Sequence, residues 1–236
     1  MTDTVAGMRN TKTDKVYRRL RQMIIDLELQ PGEAIQKEKL TALFGVSRAP
    51  VNEALARLRE EDLVSIAPQH GTFVQHITIA KLNEGLFFRR AVEPNAMADL
   101  APAITDPLLE QLQDNLSKQR SAVSADDLSA LHVLDDSFHS LLLEHRKFEH
   151  TARLVRTFSA HLERARNLAP PIQRDPRDTV NDHEKIVKAL SMKDANWAHS
   201  AMDLHLGSAL SGLKLMIEER PELFESANQS ASVKSS

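Results

Sequence analysis

The sequence contains no cysteine, which excludes a disulfide framework and any thiolate metal site. No apolar run approaches the roughly 20 residues that a membrane-spanning helix needs, so a helical membrane protein is excluded too. The opening "MTDTVAGMRNTKTDK" lacks the apolar core of a secretory signal. No internal repeat marks a solenoid or array. Together these absences lead to the expectation of a cytoplasmic protein.

What is present fits a globular chain of one or two domains, with 236 residues, 42% of them hydrophobic and 27% charged. The net charge of −3 conceals a small asymmetry. Residues 1–76 carry 11 Lys and Arg against 10 Asp and Glu, and the remainder carries 19 against 23. Within the first part Arg9, Lys12, Lys15, Arg18, Arg19 and Arg21 cluster with only Asp14 against them. A solvated helix face explains that cluster as well as a nucleic-acid-facing one does.

Hydrophobic spacing divides the chain in two. "TKTDKVYRRLRQMIIDLELQPGEAI" begins as a helix with Val16, Leu20, Met23, Ile24 and Leu27 inward, stopped by "PG". "EKLTALFGV" is a short second helix ended by Gly45. "SRAPVNEALARLREEDL" follows with Ser47 as N-cap and Pro50 in the first turn. "VSIAPQHGTFVQHI" reads as two β runs around a glycine turn. Two helices joined by a tight turn, followed by a hairpin, make a winged helix-turn-helix over 1–76, its first ten or so residues flexible. From 79 to 220 the pattern is helical throughout, with helices at 79–103, 106–123, 126–145, 148–168, 178–192 and 195–219. Residues 221–236 are polar and aperiodic, the pattern of a disordered tail. The expected fold is therefore mainly α: a winged helix-turn-helix followed by an all-helical antiparallel bundle.

The stretch "LQPGEAIQKEKLTALFGVSRAPVNEALARLREEDLVSIAPQHGTFV" resembles the GntR family of bacterial transcription regulators. The PG turn, "GVSR", the P-V-x-E-A-L-x-R-L helix and the "GTFV" wing are all in register. The helical wheel agrees with the resemblance. Val51, Ala54, Leu55 and Leu58 form an inward stripe, and Arg48, Ala49, Asn52, Ala56 and Arg59 lie outward. Small outward residues let a helix approach the major groove, Arg48 can donate to guanine or phosphate, and Asn52 can pair with a base edge. The expected DNA-contacting set is Ser47, Arg48, Ala49, Asn52 and Arg59, with His70 on the wing. Two departures stand out: Asn52 replaces a usual Arg, and Asp62 replaces a usual Gly. Gln69 and His70 also make the wing less basic than is common. The resemblance implies double-stranded DNA with a palindromic operator as partner, bound by a homodimer.

In "VLDDSFHSLLLEH", residues 133–145, Leu134, Phe138, Leu141 and Leu142 form an apolar stripe, and Asp136, Ser137, Ser140 and Glu144 lie opposite. Asp135 and His139 fall with the leucines, a carboxylate and an imidazole one turn apart on the side that is buried. His183 falls mid-stripe with Val180, Ile186, Val187 and Leu190, and His205 falls with Ala198, Met202, Ala209 and Met216. "RRAVEPNAMADLA", "DDSFHSLL", "NDHEKIVKALSMKDA" and "AMDLHL" resemble the FCD ligand domain of FadR-type regulators, over about 79–219. In metal-binding members a D-x-x-x-H helix joins single histidines on two later helices, which implies Asp135, His139, His183 and His205 as ligands. Three imidazoles and a carboxylate suit a divalent cation, zinc foremost, with nickel, manganese and iron as alternatives. His132 is a rival on nearly the same edge. His70, His76, His145, His150, His161 and His199 read as surface residues.

Arg89 lies in an inward stripe with Leu82, Leu86, Val92, Ala96 and Leu100. It reads either as an internal ion pair with Glu93 or, as the family resemblance implies, as a clamp for an effector carboxylate. The whole reads as a transcription regulator and not an enzyme, a repressor whose metal and small organic acid effector modulate operator binding. Two alternatives stay open: a metal-dependent enzyme using the His₃Asp set, and a regulator whose metal is purely structural. A metal-free acyl-CoA sensor is expected to lack that set.

Overall fold

The structure is a computed structural model, and it describes residues 11–145, 147–168 and 175–224. Arg9 and the first ten residues expected to be flexible lie outside the described residues, as does the tail from 225. The chain divides into two compact units.

The first unit takes in residues up to 78 together with 160–168 and Phe224. Its helices are α1 (Lys12–Ile25), α2 (Lys37–Phe44) and α3 (Arg48–Glu60), followed by strands β1 (Val64–Ala67) and β2 (Gly71–Val74). Thr11 and Asp14 open α1 with a capping box, each side chain bonding the other's backbone N–H. Helix α1 ends at Ile25, well short of the proline–glycine pair that was expected to stop it. Leu27 has left the helix with φ 60°, and the Leu29 N–H returns to the Met23 carbonyl at 3.0 Å. Leu27 is therefore only half-buried, and Ile25 takes the core position. Gly45, at φ 60°, caps α2 in the left-handed region as the sequence predicts. Ser47 occupies the N-cap of α3, but its side chain makes no capping bond.

Strands β1 and β2 pair antiparallel, Val64 opposite Val74 through Ala67 opposite Gly71. An unforeseen third edge lies along them: Ala34 bridges Phe73, and the Ile35 N–H donates to the Thr72 carbonyl at 2.7 Å. The core of the unit is Val16, Leu20, Ile24, Leu55, Leu58 and Val74, all at 1% exposure or less. Each such side chain contributes about 1.5–3 kcal/mol by leaving water.

Residues 160–168 belong to helix α7 (Glu149–Leu168), which the sequence reading places in the helical domain. Here they serve backbone carbonyls of the first unit. His161 Nε2 donates to the Asp62 carbonyl at 3.1 Å, Arg164 to the Gln75 carbonyl at 2.5 Å, and Asn167 to the Ile25 carbonyl at 2.9 Å. His161 is therefore buried rather than on the surface as expected. Burial pushes the Arg164 guanidinium down to about 10, against the pull of Asp62.

The second unit holds α4 (Ile79–Leu100), α5 (Asp106–Ser124), α6 (Leu128–His145), residues 149–159 of α7, α8 (Pro176–Ser191) and α9 (Ala195–Glu219). A short 3₁₀ turn, Ala101–Ala103, closes the first of these where the sequence predicts continued helix. Helix α9 packs on α4 and α8, and α5 packs on α6 and α8. Phe138, Leu112, Ile186, Met202 and Leu206 lie at the centre of their core. The expected disordered tail begins instead with a 3₁₀ turn, Pro221–Leu223, and Phe224 is buried.

Candidate metal centre and nucleic-acid interface

Helix α3 presents the side chains expected to meet DNA. Its buried positions are Val51, Ala54, Leu55 and Leu58, as the wheel predicts. Ser47, Arg48, Ala49, Asn52 and Arg59 are exposed, Ala56 is half-buried, and His70 is exposed in the β1–β2 turn. Arg48 touches Glu38 at 3.5 Å, with both side chains more than two-thirds in solvent, so the contact holds neither strongly. Two members of the basic cluster on α1 are held in ion pairs, and its one acidic neighbour is engaged elsewhere. Arg19 meets Glu28 at 2.9 Å and Arg21 meets Glu61 at 3.0 Å, while Asp14 binds Arg57 at 2.9 Å. Asp62 explains its own departure from glycine. Its φ is 58°, the region glycine favours, and its carboxylate accepts a bond from Gln75 Nε2 at 3.0 Å.

Four groups converge inside the second unit. Asp135 and His139 come from α6, His183 from α8 and His205 from α9, and one ligand atom of each lies within 4.8 Å of the others. All four residues are buried. Their place on α6 is central: the buried face runs through Leu131, Asp135, Phe138, His139 and Leu142, while Leu134 and Leu141 are only half-buried. Asp136 is half-buried, and His132, the rival ligand, is half-buried and not among the four.

Three of four spacings within the group, at 3.3–3.4 Å, suit a coordination shell, and the fourth is wider. His205 Nε2 lies 3.3 Å from His183 Nε2 and 3.3 Å from His139 Nε2. Asp135 Oδ1 lies 3.4 Å from His183 Nε2 and 3.9 Å from His139 Nε2. A cation about 2.1 Å from each atom sets neighbouring ligands roughly 3.0 Å apart in octahedral and about 3.4 Å apart in tetrahedral coordination. The residues present fit such an ion.

The outward nitrogens face oxygen acceptors. His183 Nδ1 is 2.9 Å from Gln119 Oε1, and its ring stacks on Phe138 at 4.1 Å. His139 Nδ1 is 2.5 Å from Glu93 Oε2, out of line for a hydrogen bond. His205 Nδ1 is 3.9 Å from Asp182 Oδ2. Burial, with His183 and His139 adding to it, holds the His205 imidazole well below its ordinary pKa, which disfavours the charged ring.

Arg89 is buried, as the wheel requires, and its Nε donates to Glu93 Oε1 at 2.5 Å with Nη2 3.4 Å from Oε2. Burial alone raises the Glu93 carboxyl, but Arg89 and His139 outweigh it and hold it down at about 2. Glu93 therefore joins the cluster to Arg89, a role that sequence reasoning missed. Gln119 and Asn115, buried on a helix that carries no ligand, were missed as well. Polar residues in a helix read as surface, and only the inward position of Asn115 between Leu112 and Leu116 could have marked them.

A winged helix-turn-helix joined in one chain to a helical unit with a buried donor cluster is the build of a transcription regulator. Comparison with known proteins agrees. Residues 12–74 match the bacterial regulatory proteins of the gntR family, and residues 84–208 match the FCD domain. A Streptomyces ambofaciens HTH-type transcriptional regulator in an unstable DNA locus is 35% identical, covering 91% of both chains. The Escherichia coli HTH-type transcriptional repressor RspR is 30% identical, covering 89% of this chain and 92% of its own. The solved structure of Escherichia coli McbR/YncC superposes with a TM-score of 0.76 at 20% identity, over 89% of this chain and 98% of that one, and at that identity it supports the fold alone. The chain belongs to the GntR family, with an FCD domain after its DNA-binding domain. It is a DNA-binding transcription regulator rather than an enzyme. Among the described residues no helix is long and apolar enough to cross a membrane.

Proposed function

We propose that this regulator is a cytoplasmic repressor, acting as a homodimer on a palindromic operator, whose FCD domain holds a divalent cation on Asp135, His139, His183 and His205. One observation carries the metal reading. Three imidazole Nε2 atoms and a carboxylate oxygen face one another in a buried site at 3.3–3.9 Å. With the ring protons outward on Nδ1, lone pairs so placed repel one another, and a cation at their centre turns that repulsion into attraction. Zinc suits three imidazoles and one carboxylate best. Arg48, Ala49, Asn52 and Arg59, with Ser47 at the N-cap and His70 on the wing, are the residues that read DNA.

A small organic acid is the effector this reading favours, completing the metal's coordination and engaging Arg89. It shifts the population toward one arrangement of the DNA-binding domains, by its differential affinity for the two. The Arg89–Glu93 pair favours a second reading, in which the metal is structural and Arg89 stays committed to Glu93. Elemental analysis tests the metal in both readings. Wild type retains about one divalent ion per chain and loses thermal stability on chelation, because a metal bound only by the folded state adds to its stability. His183→Ala retains none and melts like chelated wild type, whereas His145→Ala retains its metal. A wild type with no stoichiometric metal, and a His183→Ala protein equally stable, would end the proposal.

A further inference from the structure

A histidine ligates through an unprotonated nitrogen, so its other nitrogen must carry the proton and something must accept it. Around this cluster the acceptors form two separate chains. The first begins at a backbone carbonyl, which can only accept. Asn115 Nδ2 donates to the Leu134 carbonyl at 3.2 Å, and Leu134 directly precedes Asp135. With its amide nitrogen so committed, Asn115 turns Oδ1 toward Gln119, whose Nε2 donates to it at 2.6 Å. Gln119 then has only its oxygen to offer His183, and Oε1 meets Nδ1 at 2.9 Å. One fixed carbonyl therefore sets the direction of every bond in the chain and leaves the His183 Nε2 lone pair facing the cluster. The second ends in a contact rather than a hydrogen bond: Arg89 Nε donates to Glu93 Oε1 at 2.5 Å, and the charge on Oε2 lies 2.5 Å from His139 Nδ1, out of line for a hydrogen bond but favouring a proton on that nitrogen.

We infer that Gln119 and Glu93 are positioning residues of the site, fixing which nitrogen of His183 and of His139 is presented to the metal; the inference rests on the metal reading above. Gln119 is 0% exposed on α5, a helix that contributes no ligand, and an uncompensated amide there costs free energy. Its conformation is spent on His183 and Asn115. Helix α5, which packs on α6 and α8, is thereby tied to the site by hydrogen bonds as well.

Two readouts test this. Zinc affinity, measured by competition with a coloured chelator, falls ten- to a hundredfold in Gln119→Leu, the size of loss found when such supporting groups are removed, on the order of 10–100-fold. Glu93→Gln shows a fall of the same order. Asp114→Asn, exposed on the same helix, leaves affinity unchanged. Long-range nitrogen–proton NMR of the metal-free protein reports the tautomer directly. Wild-type His183 carries its proton on Nδ1, and Gln119→Leu mixes the two tautomers, which a merely structural role does not do. If Gln119→Leu does not fold, Asn115→Leu frees Gln119 to turn over and gives the same mixing. A wild-type His183 protonated on Nε2, or a folded Gln119→Leu with unchanged affinity and tautomer, overturns the inference. Absence of zinc uptake by wild type, with His183 still protonated on Nδ1, overturns the metal reading and not the hydrogen-bond polarity.

Discussion

The two units of the chain bury different chemistry. In the first, Val16, Leu20, Leu55 and Leu58 fill the interior, and the residues proposed to read DNA stand outside on α3. Two of its buried polar residues, His161 and Arg164, bond backbone carbonyls. In the second unit the interior itself carries Asp135, His139, His183 and His205, and their inward atoms meet one another instead of backbone. A buried polar group that ends on a carbonyl is part of the framework. Buried donor atoms that face one another are what the proposed cation site is made of.

If that division is right, apolar and polar substitutions should fail in different ways. The largest effect is expected from Leu55→Ala, which removes a fully buried side chain from the first core. It should destabilise that unit by about 2–5 kcal/mol and abolish operator binding, with metal content per chain retained. Metal loss in step with loss of DNA binding would break the comparison. A smaller effect is expected from Arg48→Ala, which changes an exposed residue and leaves the melting temperature nearly unchanged. Specific operator affinity should fall by roughly 1–3 kcal/mol if Arg48 contacts a base edge. If it contacts phosphate, affinity for all sequences falls alike and the salt dependence becomes shallower. Unchanged operator binding in the folded variant removes Arg48 from the reading face.

The sequence made the two units unequally legible. On α3 the period-3.6 stripe and the exposed face are separate, so Val51, Ala54, Leu55 and Leu58 sort from Arg48 and Asn52. On α6 the site announces itself as a breach of that sorting, because Asp135 and His139 sit where leucine belongs. Gln119 and Glu93 were not legible as partners, since nothing in a helix wheel says which distant imidazole an amide or carboxylate meets. His161 was misread for the same reason: its acceptor, the Asp62 carbonyl, is 99 residues away in sequence. Local geometry hid the rest. The early end of α1 depends on Leu27 entering the left-handed region, and the third edge of the wing depends on Ala34 meeting Phe73.

The central claim is that a buried cation site is built from Asp135 and the three histidines, and adjacent residues on α6 test it most directly. Asp135 is buried with its carboxylate 3.4 Å from His183 Nε2, whereas its neighbour Asp136 is half-buried and outside the four. The measurement is metal content per chain, with affinity by competition, for Asp135→Asn and Asp136→Asn beside wild type. The account predicts that Asp135→Asn loses affinity by at least the roughly 10–100-fold seen when a group that supports a ligand is removed, and that Asp136→Asn keeps it. Equal sensitivity at the two positions, or no metal in wild type, contradicts it.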